Sequence, residues 1–376
     1  MQAGIPLQML AMIQLGYYHS RMTRVPACGA STLLLRRDEV AELLRMTDCI
    51  DAVERAFLHH ARGASISPAI LGAHVDGGGF HVKTAGMHDA IDGRPVFAAK
   101  INANFPGNPD REGLPTIQGV LALFDAMNGR LLALIDSIEI TILRTAAATA
   151  VAAKYLAPEV ATVAICGCGE QARSQLRALA CVRKIRSVAA IDLNPDRATH
   201  FAQEMAAELE VDVFVAEGPG KATRETNVWV TCTSAPRWFL GREHVVPGSF
   251  IAAVGADNPH KQEIEPELLA DNVVIADILE QCATMGDLHH AIDAGLMERE
   301  DVRAELAEIV AGSKEGRRLD DEIIVFDSTG TALQDVASAA IVYQRASAAG
   351  AGVAIDLAQL PTRGVSYNSL LGVNIS

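Results

Sequence analysis

The chain has 376 residues, of which 49% are hydrophobic, enough for two modest domains with sizeable cores. Its formal net charge of −14, from 32 basic and 46 acidic residues, argues against nucleic acid or an anionic membrane surface as the main partner. The apolar stretches are too short to span a bilayer, and seven cysteines without framework spacing indicate a reducing compartment, the cytoplasm.

The first segment, residues 1–30, is predicted to be an N-terminal extension of unreadable function. Its apolar run IPLQMLAMIQL lacks the preceding basic residues of a signal peptide. Residues 36–63 space their apolar side chains for two short amphipathic helices. Residues 69–135 contain apolar runs separated by VDGGGF, AIDGRP, FPGNPDREG and AMNGR, which predicts antiparallel strands joined by turns. Residues 141–156 predict a strong helix rich in small side chains.

The pattern changes after Pro158, where short apolar runs alternate with helical or loop segments. The runs are VATVAIC, SVAAID, VDVFVA, NVWVTCT, SFIAAVG, NVVIADI and EIIVFDS. Continuous apolar runs are typical of parallel strands covered on both faces, and their alternation with helices predicts a doubly wound sheet. The last helix, GTALQDVASAAIVYQRASAAG, is expected to return to the first domain. The predicted fold is α/β, with a Rossmann-type domain at 151–330 and a second, α+β domain formed by 31–150 with 331–360.

The stretch ICGCGEQAR, residues 165–173, permits two interpretations: a cysteine site for metal or redox chemistry, or a backbone loop for a nucleotide. It follows an apolar run, opens a helix, and precedes a second run that ends in Asp192. The spacing is therefore the GxGxxA form of the dinucleotide-binding fingerprint. In it Gly167 makes the turn, Gly169 admits the pyrophosphate at the helix N-terminus, and Ala172 lets the helix pack closely.

Asp192 sets the expected cofactor. A carboxylate there accepts hydrogen bonds from the adenosine ribose and repels a 2′-phosphate, which favours NAD over NADP. Arg197 lies close enough along the chain to soften that preference. Glu170 and Gln171 in the loop, and Thr145 in the preceding helix, are further candidate cofactor-binding residues.

No metal site is predicted. Cys166 and Cys168 are separated by one residue, whereas zinc-binding pairs are separated by about two to four. Cys168 is kept as a candidate reactive thiol. The adjacent His289 and His290 would point about 100° apart on a helix and would chelate poorly.

Three longer stretches carry a resemblance to a known family. They are AAKINANFPGNPDREGLPTIQGVLALFDAMNGRLLALIDSIEITILRTAAATAVAAKYL, AAVGADNPHKQEIEPELL and VFDSTGTALQDVASAAIVY. With the CGCGEQA loop they resemble the ornithine cyclodeaminase and mu-crystallin family over residues 32–348, most specifically in LRTAA and GLPT. The resemblance implies a Rossmann domain, a substrate-binding and dimerisation domain, and a homodimer. It also implies hydride transfer between nicotinamide and the α-carbon of a small amino or imino acid.

The resemblance assigns roles to charged residues that lie among apolar neighbours. It implies that Lys100 and Arg144 contact the substrate carboxylate and that Asp257 acts on the reacting nitrogen. The residues alone leave alternatives: an outward-facing lysine on an edge strand, and a turn or helix cap at Asp257. For Arg144 the alternative is a buried ion pair with Glu139 or Asp136.

The chain departs from the family at one carboxylate contact. Members commonly read P-P-R where this chain has SPAILGAHV, with Ala69 or Ile70 in place of the arginine. Nearby, His81 and Lys83 in FHVKTAG share one face of a predicted strand. They are predicted to rebuild the anion site or to meet a different substrate group; the alternative is a solvated strand face. A histidine there disfavours the cationic tail of ornithine, which cyclodeaminases of the family meet with an acid.

The predicted function is an NAD(H)-dependent oxidoreductase that acts on a small α-imino or α-amino carboxylate, as a ketimine reductase or an amino-acid dehydrogenase. Two alternatives stay open. One is cyclodeamination, in which the hydride is returned and ammonia is lost. The other is a non-catalytic, crystallin-like binding protein.

Overall fold

The computed structural model describes residues 31–222 and 224–357, apart from the side chain of Asp110. The predicted N-terminal extension, residues 1–30, lies outside the described residues, as do residues 358–360 at the end of the predicted second domain. All of the candidate site residues named from the sequence lie within the described ranges.

The chain divides into two compact units. Residues 33–353 form one unit, and of the other unit the structure describes only residues 31–32 and 354–357. Both main sheets belong essentially to the first unit, so the boundaries drawn from the sequence between a Rossmann domain and a second domain stay a prediction.

The first sheet takes its strands from the N-terminal part of the chain, where turn signals separate the apolar runs. Its strands are β1 (Thr32–Leu35), β2 (Ser65–Val75), β3 (Gly78–Ile91), β4 (Arg94–Asn104), β5 (Ile117–Asp125) and β6 (Leu131–Asp136). They lie in the order β1-β6-β5-β4-β3-β2, and β1 runs parallel to β6. The other neighbours are antiparallel, as the sequence predicts.

One face of this sheet is covered by helices. They are α1 (Arg37–Leu43), α4 (Ser137–Leu156) and α11 (Ala332–Ala349), and α2 (Met46–Ala61) packs on α4 and α11. Helix α3 (Asn108–Glu112) lies in the β4–β5 connection. Helix α4 begins one turn before its predicted start because the Asp136 side chain accepts a hydrogen bond from the Ile138 N–H at 2.9 Å and caps it. Helix α11 packs on β3 and β4, so the last helix does return to the first sheet.

The opposite face of the sheet is apolar and exposed. Leu71, Val82, Ile101 and Val120 pair across four strands and therefore point to the same side. Leu71 is 67% exposed and Ile101 45% exposed. We call this surface, with Phe80, the outer face.

The second sheet is parallel throughout and confirms the predicted Rossmann-type architecture. Its strands are β7 (Val160–Cys166), β8 (Lys184–Ile191), β9 (Asp212–Val215), β10 (Val228–Thr231), β12 (Phe250–Ala253), β14 (Val273–Ala276), β15 (Ala304–Glu305) and β16 (Ile324–Asp327). The order is β15-β14-β16-β12-β10-β7-β8-β9, so the strand order reverses between β7 and β10. Ligands of such sheets bind at the carboxyl ends of the strands beside this switch point.

The remaining elements surround the second sheet. They are helices α5 (Glu170–Val182), α6 (Pro195–Leu209), α7 (Pro266–Ala270), α8 (Leu279–Met285), α9 (Asp287–Asp293) and α10 (Leu306–Val310), and the two-stranded sheet of β11 (Pro236–Leu240) and β13 (Gln262–Ile264). The last strand, β17 (Val353–Ile355), belongs to the first sheet, next to β1. Across the described ranges, no helix is both long and apolar enough to cross a membrane.

Candidate active site

The loop between β7 and α5 has the geometry of a dinucleotide-binding turn. Gly167 has a φ of +91° and donates its N–H to the Ile191 carbonyl at 2.8 Å. A Cβ at Gly167 would lie 2.8 Å from Cγ2 of Thr233, so only glycine fits there. Gly169 faces open space, since a Cβ there would meet nothing within 4 Å. Ala172 is fully buried against the sheet, so the three fingerprint positions fit a pyrophosphate at the helix N-terminus.

Asp192 lies at the end of β8 and is held rigidly. One carboxylate oxygen accepts the Cys168 N–H at 2.8 Å and the other accepts the Asn194 N–H at 2.8 Å. Its side chain is only 7% exposed, and Arg197 places Nη1 3.7 Å from it. A carboxylate has lone pairs for about four hydrogen bonds, so Asp192 keeps capacity for ribose hydroxyls.

The other candidate cofactor residues lie in α4 and in the first turn of α5. Gln171 donates from Nε2 to the Ile142 carbonyl at 3.4 Å, and Thr145 donates its hydroxyl to the Thr141 carbonyl at 2.8 Å. Glu170, in the first turn of α5, has a side chain that is 74% exposed. Their roles toward the cofactor stay predictions.

The cysteine of the loop does not have the setting of a reactive thiol. Cys168 is fully buried, and burial, with the nearby Asp192 carboxylate, raises its pKa to about 12. The reactive form of cysteine is the thiolate, so the candidate role for Cys168 is not supported by its environment.

The two adjacent histidines, His289 and His290, each contact a main-chain carbonyl oxygen. His289 Nδ1 lies 2.8 Å from the Gly286 carbonyl, and His290 Nε2 lies 2.9 Å from the Lys261 carbonyl. Within residues 31–222 and 224–357, no group of three or more His, Cys, Asp or Glu side chains is arranged to hold a metal ion.

Lys100 and Arg144 meet at one buried carboxylate. Lys100 Nζ lies 2.8 Å from the Asp335 carboxylate, and Arg144 Nε lies 3.1 Å from it. Arg144 also donates from Nη1 to Gln334 Oε1 at 2.8 Å, and Lys100 lies 3.4 Å from the Thr141 hydroxyl. We call Lys100, Arg144 and Asp335 the Asp335 cluster.

These positions settle the structural alternatives for the two cations. Lys100 lies on the interior strand β4 and is 3% exposed, so the outward-facing edge lysine is wrong. Arg144 does form a buried ion pair, but the predicted partners are wrong. Glu139 binds Arg37 at 2.7 Å, and Asp136 caps α4.

The charges of the cluster are unbalanced. Burial, followed by the charge of Arg144, lowers the pKa of Lys100 to about 7. Burial raises the pKa of Asp335, but Lys100 and Arg144 outweigh it, so that pKa lies below its usual value. A single carboxylate therefore faces a permanent cation and a second cation that holds its proton below about pH 7, which leaves room for a substrate carboxylate.

Lys83 adds a third cation on the same sheet face. It pairs with Lys100 across β3 and β4, is 8% exposed, and donates to the Thr329 and Gly330 carbonyls at 3.0 and 2.7 Å. Burial, and then Arg144, lower its pKa. The solvated strand face is thus wrong for Lys83. On its other side Lys83 pairs with Ile70 of β2. If Ile70 is the position at which family members carry the arginine of P-P-R, Lys83 supplies a cation beside that position.

Asp257 lies in the loop after β12, at the carboxyl end of the second sheet. Its Oδ1 accepts a hydrogen bond from Lys261 Nζ at 2.8 Å, and its side chain is 47% exposed. Desolvation raises the pKa of Asp257, but Lys261 outweighs it and Lys83 contributes, so the pKa is lowered. The turn indicated by DNP is made by Asn258, whose Oδ1 accepts the His260 N–H at 3.0 Å. Asp257 is therefore an ionised, accessible carboxylate.

Sequence reasoning missed Glu263, which ties two loops of the site together. Its Oε1 accepts both the N–H and the hydroxyl of Thr233 at 2.6 Å, and its Oε2 accepts the Gly255 N–H at 2.8 Å. These loops follow the neighbouring strands β10 and β12, so Glu263 links the crevice beside Gly167 to the loop that carries Asp257.

Sequence reasoning also missed Asp335 and Asp277. Asp335 had a readable signal, because it is the only charged residue between Asp327 and Arg345. Asp277 is fully buried and accepts the Gly330 N–H at 2.7 Å, which fixes the loop that binds Lys83. No comparable signal marks Asp277 in the sequence.

Comparison with known proteins places this geometry in context. Residues 30–350 match the model of the ornithine cyclodeaminase/mu-crystallin family. Among similar solved structures, an archaeal alanine dehydrogenase dimer with bound NAD is 35% identical, with a TM-score of 0.82 over 87% of this chain and 99% of that one. The Thermococcus litoralis Δ1-pyrroline-2-carboxylate reductase with NADH and L-proline is 32% identical, with a TM-score of 0.82 over 86% and 100%. The Paracoccus denitrificans iminosuccinate reductase with NAD+ is 32% identical, with a TM-score of 0.79 over 86% and 99%.

Proposed function

The chain belongs to the ornithine cyclodeaminase/mu-crystallin family, and from that membership we propose that it is an NAD(H)-dependent oxidoreductase of small α-imino or α-amino carboxylates. The observation that carries the proposal is the excess of buried cations over carboxylate at the Asp335 cluster. Such a charge imbalance is typical of a site that binds an anion, because burying a charge without a partner is costly. All three similar structures were solved with NAD+ or NADH, and the glycine loop of this chain fits the same cofactor.

The residues divide the work between binding and proton handling. NADH, when bound, supplies the hydride. Arg144 and Lys100 bind the substrate carboxylate, Arg144 through the two parallel N–H groups of its guanidinium. Asp257 is ionised and stabilises the positive charge of a protonated imine nitrogen, then exchanges a proton as that nitrogen becomes an amine.

We propose imine reduction rather than cyclodeamination because of the groups that would face the substrate side chain. The family resemblance implies that His81 lies near the position at which ornithine cyclodeaminases have an acid for the distal amine, and the neighbouring Lys83 is a buried cation. A spectrophotometric assay of NADH oxidation with cyclic ketimines, and with 2-oxo acids plus ammonia, tests the proposal. Turnover with at least one imine is expected; NAD binding without turnover would support the crystallin-like alternative, and ammonia release from ornithine the cyclodeaminase.

Asp192→Ala tests the choice of cofactor. The variant is expected to bind NAD(H) more weakly, by about 1.5–3 kcal/mol for a lost hydrogen bond to a charged group. Its affinity for NAD(H) should therefore exceed its affinity for NADP(H) by a smaller factor than in the natural chain. Asp196→Ala, a neighbouring exposed acid, is the control and should leave the ratio of the two affinities unchanged. Fluorescence titration with NADH and NADPH measures both. A natural chain that binds NADPH as well as NADH, or a variant with an unaltered ratio, would refute the assignment.

We also propose that two copies associate through the outer face. An exposed apolar rung with Leu71 and Ile101 is typical of a surface that another chain covers, and the similar alanine dehydrogenase was solved as a dimer. Light scattering at micromolar concentration should give twice the chain mass, and Ile101→Glu should give monomer. Met127→Glu, an exposed apolar residue outside the rung, is the control. A monomeric natural chain would contradict this dimer.

The cytoplasm is the proposed compartment. The cysteines with a described free thiol are Cys49, Cys166, Cys168, Cys181, Cys232 and Cys282. A reducing environment keeps thiols in this state, including the exposed Cys181.

A further inference from the structure

One rung of the first sheet, next to the Lys83–Lys100 pair, forms a recess in the face that bears the cations. His81 pairs with Gly72 on one side and with Asn102 on the other, and Asn102 pairs with Gly119. Two polar side chains are therefore flanked by two residues without side chains. Residues opposite each other in a sheet point to one face, so this rung shares the face of the Lys83–Lys100 rung.

The glycines shape the recess on its two flanks. A Cβ at Gly119 would collide with Oδ1 of Asn102 and would lie 2.5 Å from the Ser137 hydroxyl, so that flank is closed tightly around the amide. A Cβ at Gly72 would meet nothing within 4 Å, so the flank beside His81 is open. The recess is thus bounded on one side and accessible on the other.

The polar groups of the recess are hydrogen-bond donors. Asn102 Oδ1 accepts a hydrogen bond from the Ser137 hydroxyl at 2.6 Å. The amide oxygen of Asn102 is therefore engaged by Ser137, and the Nδ2 group is the part of the side chain that can donate to a ligand. His81 is half-buried; burial lowers its pKa, Asp257 opposes this, and Lys83 adds to the lowering. A neutral imidazole retains one N–H donor.

The charges around the recess favour an anion. Lys83 lies two residues along β3 from His81, and Lys261 lies near enough to affect its charge state. The nearby acid, Asp257, is already paired with Lys261 at 2.8 Å. His74 and His260, whose rings lie 6.2 Å apart, add polar rings rather than acids at this end of the site.

We propose that His81 and Asn102 form a subsite for an acceptor group on the substrate side chain, and that the preferred substrates are short α-imino dicarboxylates. This inference rests on the proposed function. With the α-carboxylate at Arg144 and Lys100, the side chain extends along the strands to the next rung, about 6.7 Å away. That spacing suits a second carboxylate on a short chain, whereas an ammonium would face N–H donors and the Lys83 cation.

Substrate specificity tests the inference. With NADH and ammonia, kcat/KM is measured for the dicarboxylates oxaloacetate and 2-oxoglutarate and for the monocarboxylates pyruvate and 2-oxobutyrate. The natural enzyme should favour one of the dicarboxylates at least about tenfold, the discrimination expected from one charge-assisted hydrogen bond. His81→Leu should lower that ratio about tenfold, and His81→Gln, which keeps a donor, should lower it less. The control is His88→Leu, an exposed histidine of the same strand, which should keep the ratio.

The outcomes separate this inference from the proposed function. Reduction of monocarboxylate imines with no preference for dicarboxylates, or an equal loss for both classes in His81→Leu, overturns the subsite alone. Absence of reduction for every imine overturns the proposed function. Calorimetry with NAD+ then still decides the subsite: tighter binding of L-aspartate than of L-alanine supports it, and equal or weaker binding contradicts it.

Discussion

Arg144→Lys is expected to lower kcat/KM for an imino acid about a hundredfold, chiefly through a higher KM. Lysine keeps the positive charge but loses the planar pair of N–H donors that binds a carboxylate through both oxygens. A lost hydrogen bond to a charged group costs about 1.5–3 kcal/mol, and the contact is made in both ground and transition states. Steady-state kinetics with NADH at fixed pH measures the effect.

The structure offers a matched control for this substitution. Arg177 binds Glu208 at 2.7 Å on the surface of α5, and its side chain is 38% exposed. Arg177→Lys should leave kcat/KM close to that of the natural enzyme, because exposed ion pairs contribute little. If Arg144→Lys also kept kcat/KM within about threefold, the guanidinium would only be a structural partner of Asp335 and Gln334.

Asp257→Asn is expected to lower kcat about a hundredfold while NADH affinity barely changes. The asparagine keeps the shape of the side chain but removes the charge that stabilises a protonated imine and the group that exchanges its proton. General acid–base catalysis and charge stabilisation each contribute about 10²-fold or more. The glycine loop and Asp192 are untouched, so cofactor binding should persist. Single-turnover kinetics with a confirmed substrate gives the chemical step directly.

Asp257 is one partner of an ion pair, so the control removes a carboxylate from a different ion pair. Lys261 Nζ lies 2.8 Å from the Asp257 carboxylate, and the positive charges of Lys261 and Lys83 keep that carboxylate ionised. Asp271→Asn, in an exposed pair with Arg242 at 2.9 Å, removes a comparable charge elsewhere on the protein surface and should retain full kcat. Near-normal turnover of Asp257→Asn would reduce Asp257 to a loop residue and remove the proton-handling group from the proposed mechanism.

Most of the architecture could be predicted from the sequence because it depends on local patterns. Apolar runs, turn signals and the glycine fingerprint each report on a few neighbouring residues, and the strands and helices they predicted are present. Boundaries shifted where one side chain made a cap, as Asp136 did for α4. That hydrogen bond depends on backbone geometry that composition does not specify.

The site was less readable because its contacts join distant segments. The residues Arg144 and Asp335 are far apart along the chain, and the predicted partners, Glu139 and Asp136, were chosen for proximity in sequence. Asp335 lies alone on an alanine-rich helix, which is a signal that something cationic must pair with it. Which cation does so depends on how α11 packs against β4 and α4.

Strand register explains why part of the specificity site was visible and part was not. Alternation along β3 predicted that His81 and Lys83 share a face, and the sheet agrees. The partner Asn102 and the flanking Gly72 could not be assigned, because a shift of one residue in pairing would have turned them to the other face.

Transfer of deuterium from NADH labelled at nicotinamide C4 tests the central claim most directly. The enzyme is incubated with NADH that carries deuterium at both C4 positions, because only one of the two hydrogens is transferred, together with ammonia and a 2-oxo acid. The amino acid product is analysed by NMR and mass spectrometry. One deuterium is expected at the α-carbon, and Asp257→Asn is expected to form about a hundredfold less of this labelled product on the same time scale. An unlabelled product, or consumption of NADH without an amino acid product, would contradict hydride delivery to the α-carbon.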